Sequence, residues 1–135
     1  MLCAKRCGAA LLNKCLSCRV WTGRPEWPCQ PTRVHPIEYA GLSTTEKLVA
    51  LRTNLKEASA GALVLNDLAE IAWVFNMRGK DVDCNPVFVS YGIISADSAT
   101  LYVAANQITA EVAQHLESAS VAVKEYSQVR PPPSC

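Results

Sequence analysis

Residues 63–94, LVLNDLAEIAWVFNMRGKDVDCNPVFVSYGII, change hydrophobic period along their length, and this constrains the fold more than any other feature. Leu63-Val64-Leu65 is a short apolar run whose length suits a buried strand. Asp67 follows at a helix N-cap position, with Glu70 at capping-box spacing. Ile71, Val74 and Phe75 recur at helical spacing, with Ala72 and Trp73 filling the turn. Residues 76–86 (NMRGKDVDCNP) are polar, contain Gly79 and end in Asn-Pro, so they cannot continue a helix. Val87-Phe88-Val89-Ser90-Tyr91 returns to β-branched and aromatic residues, which predicts a strand. The unit is strand, helix, exposed polar loop, strand. Packing does not explain the composition of that loop.

The flanks extend the pattern. Ser43-Thr44-Thr45-Glu46 is a capping box that opens a helix to about Ala58. Leu48, Leu51, Leu55 and Ala58 form its apolar stripe, and Lys47 and Arg52 fall on the solvated side. Residues 62–66 form the strand before the central helix. Residues 87–95 and 100–104 are joined by a short connector, which predicts an antiparallel hairpin. A helix from Ile108 or Thr109 turns Val112, Ala113, Leu116 and Ala119 inward, and residues 120–124 form a last strand. The expected fold is a layered α/β domain with a mixed sheet.

With 135 residues, the chain is long enough for one domain. A net charge of +1 gives no case for nucleic acid or an anionic membrane surface. No apolar run approaches the roughly 18 residues that span a bilayer. The seven cysteines are odd in number and crowd the first thirty residues, which favours free thiols in a reducing compartment. Cys3-x3-Cys7 and Cys15-x2-Cys18 have spacings that zinc accepts, but no supporting residues accompany them, so incidental thiols are expected. Residues 1–20 are basic without an acidic residue, which fits a disordered or remnant end or a mitochondrial presequence. Residues 21–40, with Pro25, Pro28, Pro31 and Pro36, read as a semi-rigid linker to a domain at 41–128, and residues 129–135 as a proline-rich tail.

Glu70-Ile71-Ala72-Trp73-Val74-Phe75-Asn76-Met77-Arg78-Gly79, then Asp81, then Asn85-Pro86-Val87-Phe88, resembles the middle domain of three-domain Xaa-Pro aminopeptidases (aminopeptidase P) of the creatinase/prolidase group. Trp21-Thr22-Gly23-Arg24-Pro25 and Tyr39-Ala40-Gly41 extend the likeness, which is good to about Val103. The resemblance implies an α-β-α, ribonuclease H-like domain with a mixed sheet, incomplete at its C-terminal end and left with an open sheet edge. It implies an enzyme that removes the N-terminal residue preceding proline, using two divalent ions, manganese or zinc, in a separate pita-bread catalytic domain. The only histidines here are His35 and His115, one in the linker and one expected on a helix surface, so no metal ligands carry over. The implied roles are substrate-entrance or interdomain contacts at Arg78, Asp81, Asn85 and Pro86, with Trp73 packing beneath. Arg78 has a fork suited to a carboxylate, which Asp81 or Asp83 would orient. The plain alternative is a loop ion pair with Gly79 supplying a turn. Cys84 lacks a neighbouring base and is not read as a nucleophile. The implied partner is the catalytic domain, with a homo-oligomer or association with the full-length enzyme as an alternative, along with a degenerate fragment. The implied compartment is the cytoplasm, or the mitochondrion if the basic end is a presequence.

Overall fold

The computed structural model describes Gly23 and residues 28–129. The basic first twenty residues and their cysteine pairs, Trp21, Trp27, and the tail from Arg130 lie outside the described residues.

The elements run β1 (Arg33–Val34), α1 (Ile37–Ala40), α2 (Thr44–Glu57), β2 (Ala62–Leu65), α3 (Leu68–Val74), β3 (Met77–Arg78), β4 (Ser90–Ser95), β5 (Ala99–Val103), α4 (Ala110–Ser118) and β6 (Val121–Glu125). Two 3-10 turns, Ala105–Gln107 and Tyr126–Val129, complete the set. The main sheet has the order β2-β4-β5-β6. Its first two pairings are antiparallel and β5–β6 is parallel, so the sheet is mixed as the sequence implies. A parallel pair needs a crossover, and α4 supplies it.

Local chemistry sets the helix starts. Ser43 Oγ accepts from Glu46 N at 3.2 Å, and Glu46 Oε2 accepts from Ser43 N at 2.8 Å, closing the expected box on α2. The Asp67 carboxylate accepts from Ala69 N and Glu70 N at the start of α3. Thr109 Oγ1 accepts from Val112 N at the start of α4. Helix α3 ends where Asn76 takes a left-handed conformation, φ 48°, which asparagine tolerates better than most residues.

Leu65, Ile94, Leu101, Val103 and Val121 lie on one face of the sheet and join Leu48, Ile71, Phe75, Val112 and Leu116 in a single buried core. Each such side chain contributes about 1.5–3 kcal/mol on burial. Gly92 in β4 lets the Phe75 ring approach the sheet closely, since a Cβ there would meet that ring at 3.2 Å. On the other face Val64 is 61% exposed, and Tyr91, Ile93 and Thr100 are only partly covered. The turn Tyr126–Val129 packs on that side, with the Tyr126 and Tyr91 ring centroids 5.3 Å apart.

The structure differs from the sequence reading in several places. The strand expected from Val87 starts at Ser90, because Val87 N donates to Asn85 O and Val89 N to the Asp81 carboxylate. Those amides serve the loop and are lost to the ladder. The loop 76–86 is not exposed throughout, since Asn76, Met77 and Gly79 are buried. Residues read as linker are tied in from Gln30: Arg33–Val34 pair with Met77–Arg78, and Thr32 is buried. Thr32 donates from N and Oγ1 to Gln107 O, at 2.9 and 2.7 Å. Lys47, assigned to the solvated side of α2, is 2% exposed, while Ala58 and Ala113, expected inward, are exposed.

Candidate functional site

Arg78 leaves the core in the two-residue ribbon β1–β3. Met77 and its partner Val34 turn inward, and Arg78 and its partner Arg33 turn outward. Arg78 Nη1 donates to Ala72 O and Met77 O, both at 2.8 Å. It therefore closes the C-terminal end of α3, where a cation is favoured by the helix dipole. It does not engage Asp81 or Asp83, so the loop ion pair is absent from the fold. Burial, and then the neighbouring Arg33, lower its pKa.

Asp81 faces into the domain. Oδ1 accepts from Gln30 N at 3.2 Å, and Oδ2 accepts from Val89 N at 2.8 Å and Gln107 Nε2 at 2.7 Å. Gln107 Nε2 also donates to Gln30 O. One carboxylate thus joins the incoming chain, the end of the loop and the turn after β5. Gly79 does more than supply a turn. A Cβ there would lie 2.6 Å from Phe88 Cβ and 2.8 Å from Val87 O, so only glycine lets the loop lie on the buried 87–88 segment.

The loop tip is anchored yet exposed. Val82 and Asn85 form a bridge, Gly79 N donates to Pro86 O, and Asp81 N donates to Val87 O. Val82, Asp83, Cys84, Asn85 and Pro86 are all exposed. Cys84 takes φ 60°, and its thiol is free, like that of Cys29.

Trp73 does not pack beneath the loop. It is 48% exposed on α3, with Lys47 Nζ 4.3 Å from its ring centroid. That ammonium donates to Trp73 O at 2.8 Å and Asn76 Oδ1 at 2.6 Å, while Asn76 Nδ2 donates to Leu42 O. Burial, then Arg78, lower the Lys47 pKa. Sequence reasoning missed Lys47. Its signal was its place next to Leu48, on the flank of the apolar stripe of α2.

His115 is likewise not a surface residue. Its Nε2 lies 3.2 Å from Thr44 Oγ1 and 3.0 Å from Phe75 O, so it links α4 to the start of α2 and the end of α3. It shares a cavity of about 300 Å³ with His35, Thr44 and Asn76. Among the described residues no group of three or more His, Cys, Asp or Glu side chains could hold a metal ion. The described residues therefore do not fit a di-nuclear centre. No described helix is long and apolar enough to cross a membrane.

Residues 23–132 match the family model for the creatinase/prolidase N-terminal domain, well beyond Val103 where the recognisable motifs thin out, and the chain belongs to that family. It is 41% identical over 123 residues to a probable Xaa-Pro aminopeptidase P of Neurospora crassa, covering 90% of this chain and 18% of the relative. It is 38% identical over 120 residues to aminopeptidase P2 of Arabidopsis thaliana, covering 88% and 17%. The fold matches the crystal structure of an X-prolyl aminopeptidase from Caenorhabditis elegans with a TM-score of 0.80 and 28% identity, over 82% of this chain and 18% of that one. That relative is described as a cytosolic enzyme with a di-nuclear active site. The chain spans about one fifth of the length of each.

Proposed function

We propose that this domain is a non-catalytic part of a cytosolic Xaa-Pro aminopeptidase, and that its 79–86 loop docks against a catalytic domain carrying two divalent ions, manganese or zinc, and narrows the path by which peptides reach it. The loop supports this reading. Five consecutive exposed residues, Val82 to Pro86, are held by a bridge, by two backbone bonds and by the Asp81 anchor. A polar tip fixed on a rigid scaffold suits contact with a neighbour better than it suits packing. Asp81 positions this tip from below, Asn85 and Pro86 present it, and Arg78 fixes the end of α3 ahead of it.

The test pairs this chain with the remaining polypeptide of an aminopeptidase P relative. Capture of one by the other is expected, with cleavage of a peptide that has proline in second position. Replacing Asn85 and Pro86 by alanine should weaken capture or raise KM while the fold is kept. Turnover by this chain alone with manganese or zinc would overturn the non-catalytic reading. Capture indifferent to the loop substitutions would overturn the assignment of the loop.

A second reading is an association module that binds the full-length enzyme or further copies of itself. The thinly covered sheet face around Val64, Ile93 and Tyr91 favours it. A monodisperse monomer by light scattering, with no affinity for the full-length enzyme, would remove it.

A further inference from the structure

Arg33 and Arg78 are direct cross-strand partners in the β1–β3 ribbon, with their side chains on the same outward face. Like charges placed opposite each other destabilise a strand pair. The neighbourhood makes the arrangement worse rather than better. His35 follows on the same side of β1, and its pKa is lowered by burial and then by Arg78, Lys47 and Arg33. The charges acting on Lys47 and Arg78 are also cationic. Lys47 is already committed to Asn76 Oδ1 and Trp73 O. Arg33 is exposed and has no hydrogen bond or ion pair with another described residue. A domain that served only its own stability would place a carboxylate at position 33, where it would pair with Arg78.

Large apolar side chains border this charge. Trp73 is 48% exposed and Tyr39 72% exposed. The Tyr39 ring lies 6.0 Å from that of His35, and Trp73 reaches the cluster through Lys47. Two guanidinium groups thus share the ribbon with two exposed aromatic side chains linked to it through His35 and Lys47, a pairing that suits a chain offering both carboxylates and apolar groups.

We propose that the outward face of the β1–β3 ribbon is a docking surface for an acidic protein segment, whose carboxylates sit on Arg33 and Arg78 while its apolar side chains lie on Trp73 and Tyr39. This extends the docking reading by naming the chemistry of the partner, and rests on that reading only for where the segment resides. The surface is separate from the 79–86 tip.

The probe is a blocked oligoglutamate peptide with a central leucine, titrated against the whole chain and followed by NMR at the arginine Nε–H groups and the Trp73 indole. Its glutamine counterpart serves as the control. The expected result is shifts confined to Arg33, Arg78 and Trp73, with binding lost as salt rises from about 0.01 M to about 0.5 M. Arg33→Glu should weaken binding by about tenfold or more. The same substitution should raise the urea midpoint of the isolated chain, because it replaces a repulsion with an ion pair. Tighter binding by Arg33→Glu, or binding equal to that of the glutamine control, would overturn the proposal. The peptide experiment does not involve the catalytic domain. Failed capture in the pairing test, with the peptide still bound, would refute the docking reading and leave the ribbon chemistry standing.

Discussion

Lys47 Nζ donates to Asn76 Oδ1 at 2.6 Å, joining the first half of α2 to the residue that terminates α3. The pair is buried, and Asn76 is also held in a left-handed conformation. A buried ammonium needs all of its acceptors, because an unpaired one carries its full desolvation cost. Lys47→Ala should destabilise the domain by about 2–4 kcal/mol, measured by urea unfolding. Asn76→Gly keeps the backbone conformation and loses the acceptor. A double-mutant cycle should therefore give a coupling of about 1–3 kcal/mol. Additive effects would show that the two side chains act independently.

Asp81 carries a role the sequence motif does not reveal. Its three accepted bonds come from Gln30, Val89 and Gln107. Asp81→Ala leaves two amides and a side-chain amide without that acceptor. The expected loss is about 2–3 kcal/mol, with hydrogen exchange accelerated at Gln30 and Val89. A variant as stable as the wild type would mean that the carboxylate serves the surface alone.

Gly79→Ala drives a Cβ into Phe88 Cβ and Val87 O. One of these contacts is backbone, which cannot rotate away. Overpacking of this kind costs about 1–3 kcal/mol and should lower the thermal midpoint by several degrees. Substituting a turn glycine in open space would do much less, so the melting temperature separates the two accounts.

His35 sets a pH dependence. Burial and the cations Arg78, Lys47 and Arg33 hold its folded pKa below 6.5, with the Tyr39 ring alongside. The folded state therefore prefers neutral imidazole. Stability is complete above about pH 6.5 and falls as pH drops through that value, because the unfolded chain takes up the proton first. Glu46 is a separate case. The Ser43 hydroxyl and then the Ser43 amide lower its pKa, so its contribution is lost only in the ordinary glutamate range and below. The urea midpoint should fall between pH 7.5 and pH 5.5 by roughly the amount that His35→Gln removes. A midpoint flat over that interval in both proteins would refute the assignment.

Elements specified by neighbours in sequence were legible. The boxed start of α2, the Asp67 cap, the Ile71, Val74, Phe75 stripe and the β4–β5 hairpin all depend on residues a few positions apart. The resemblance carried by Glu70 to Phe88 pointed to the right family. The rest depends on contacts far apart in sequence. Arg33 pairs with Arg78, Thr32 meets Gln107, and His115 meets Phe75. A two-residue strand has no periodicity to detect. Lys47 looked solvated because a helical wheel shows which way a side chain leaves its helix, not what the next element puts in its path. Arg78 and Asp81, close together in the loop sequence, take different partners: Arg78 the carbonyls of Ala72 and Met77, Asp81 groups on Gln30, Val89 and Gln107.

The incoming chain is fastened at Thr32 to Gln107 and at Arg33 and Val34 to the strand that carries Arg78, while Gln107 also grips Asp81. A tug on the residues ahead of Pro28 would consequently be felt at the arginine ribbon and at the anchor of the loop tip together. The ribbon and the loop anchor therefore share a single mechanical lever.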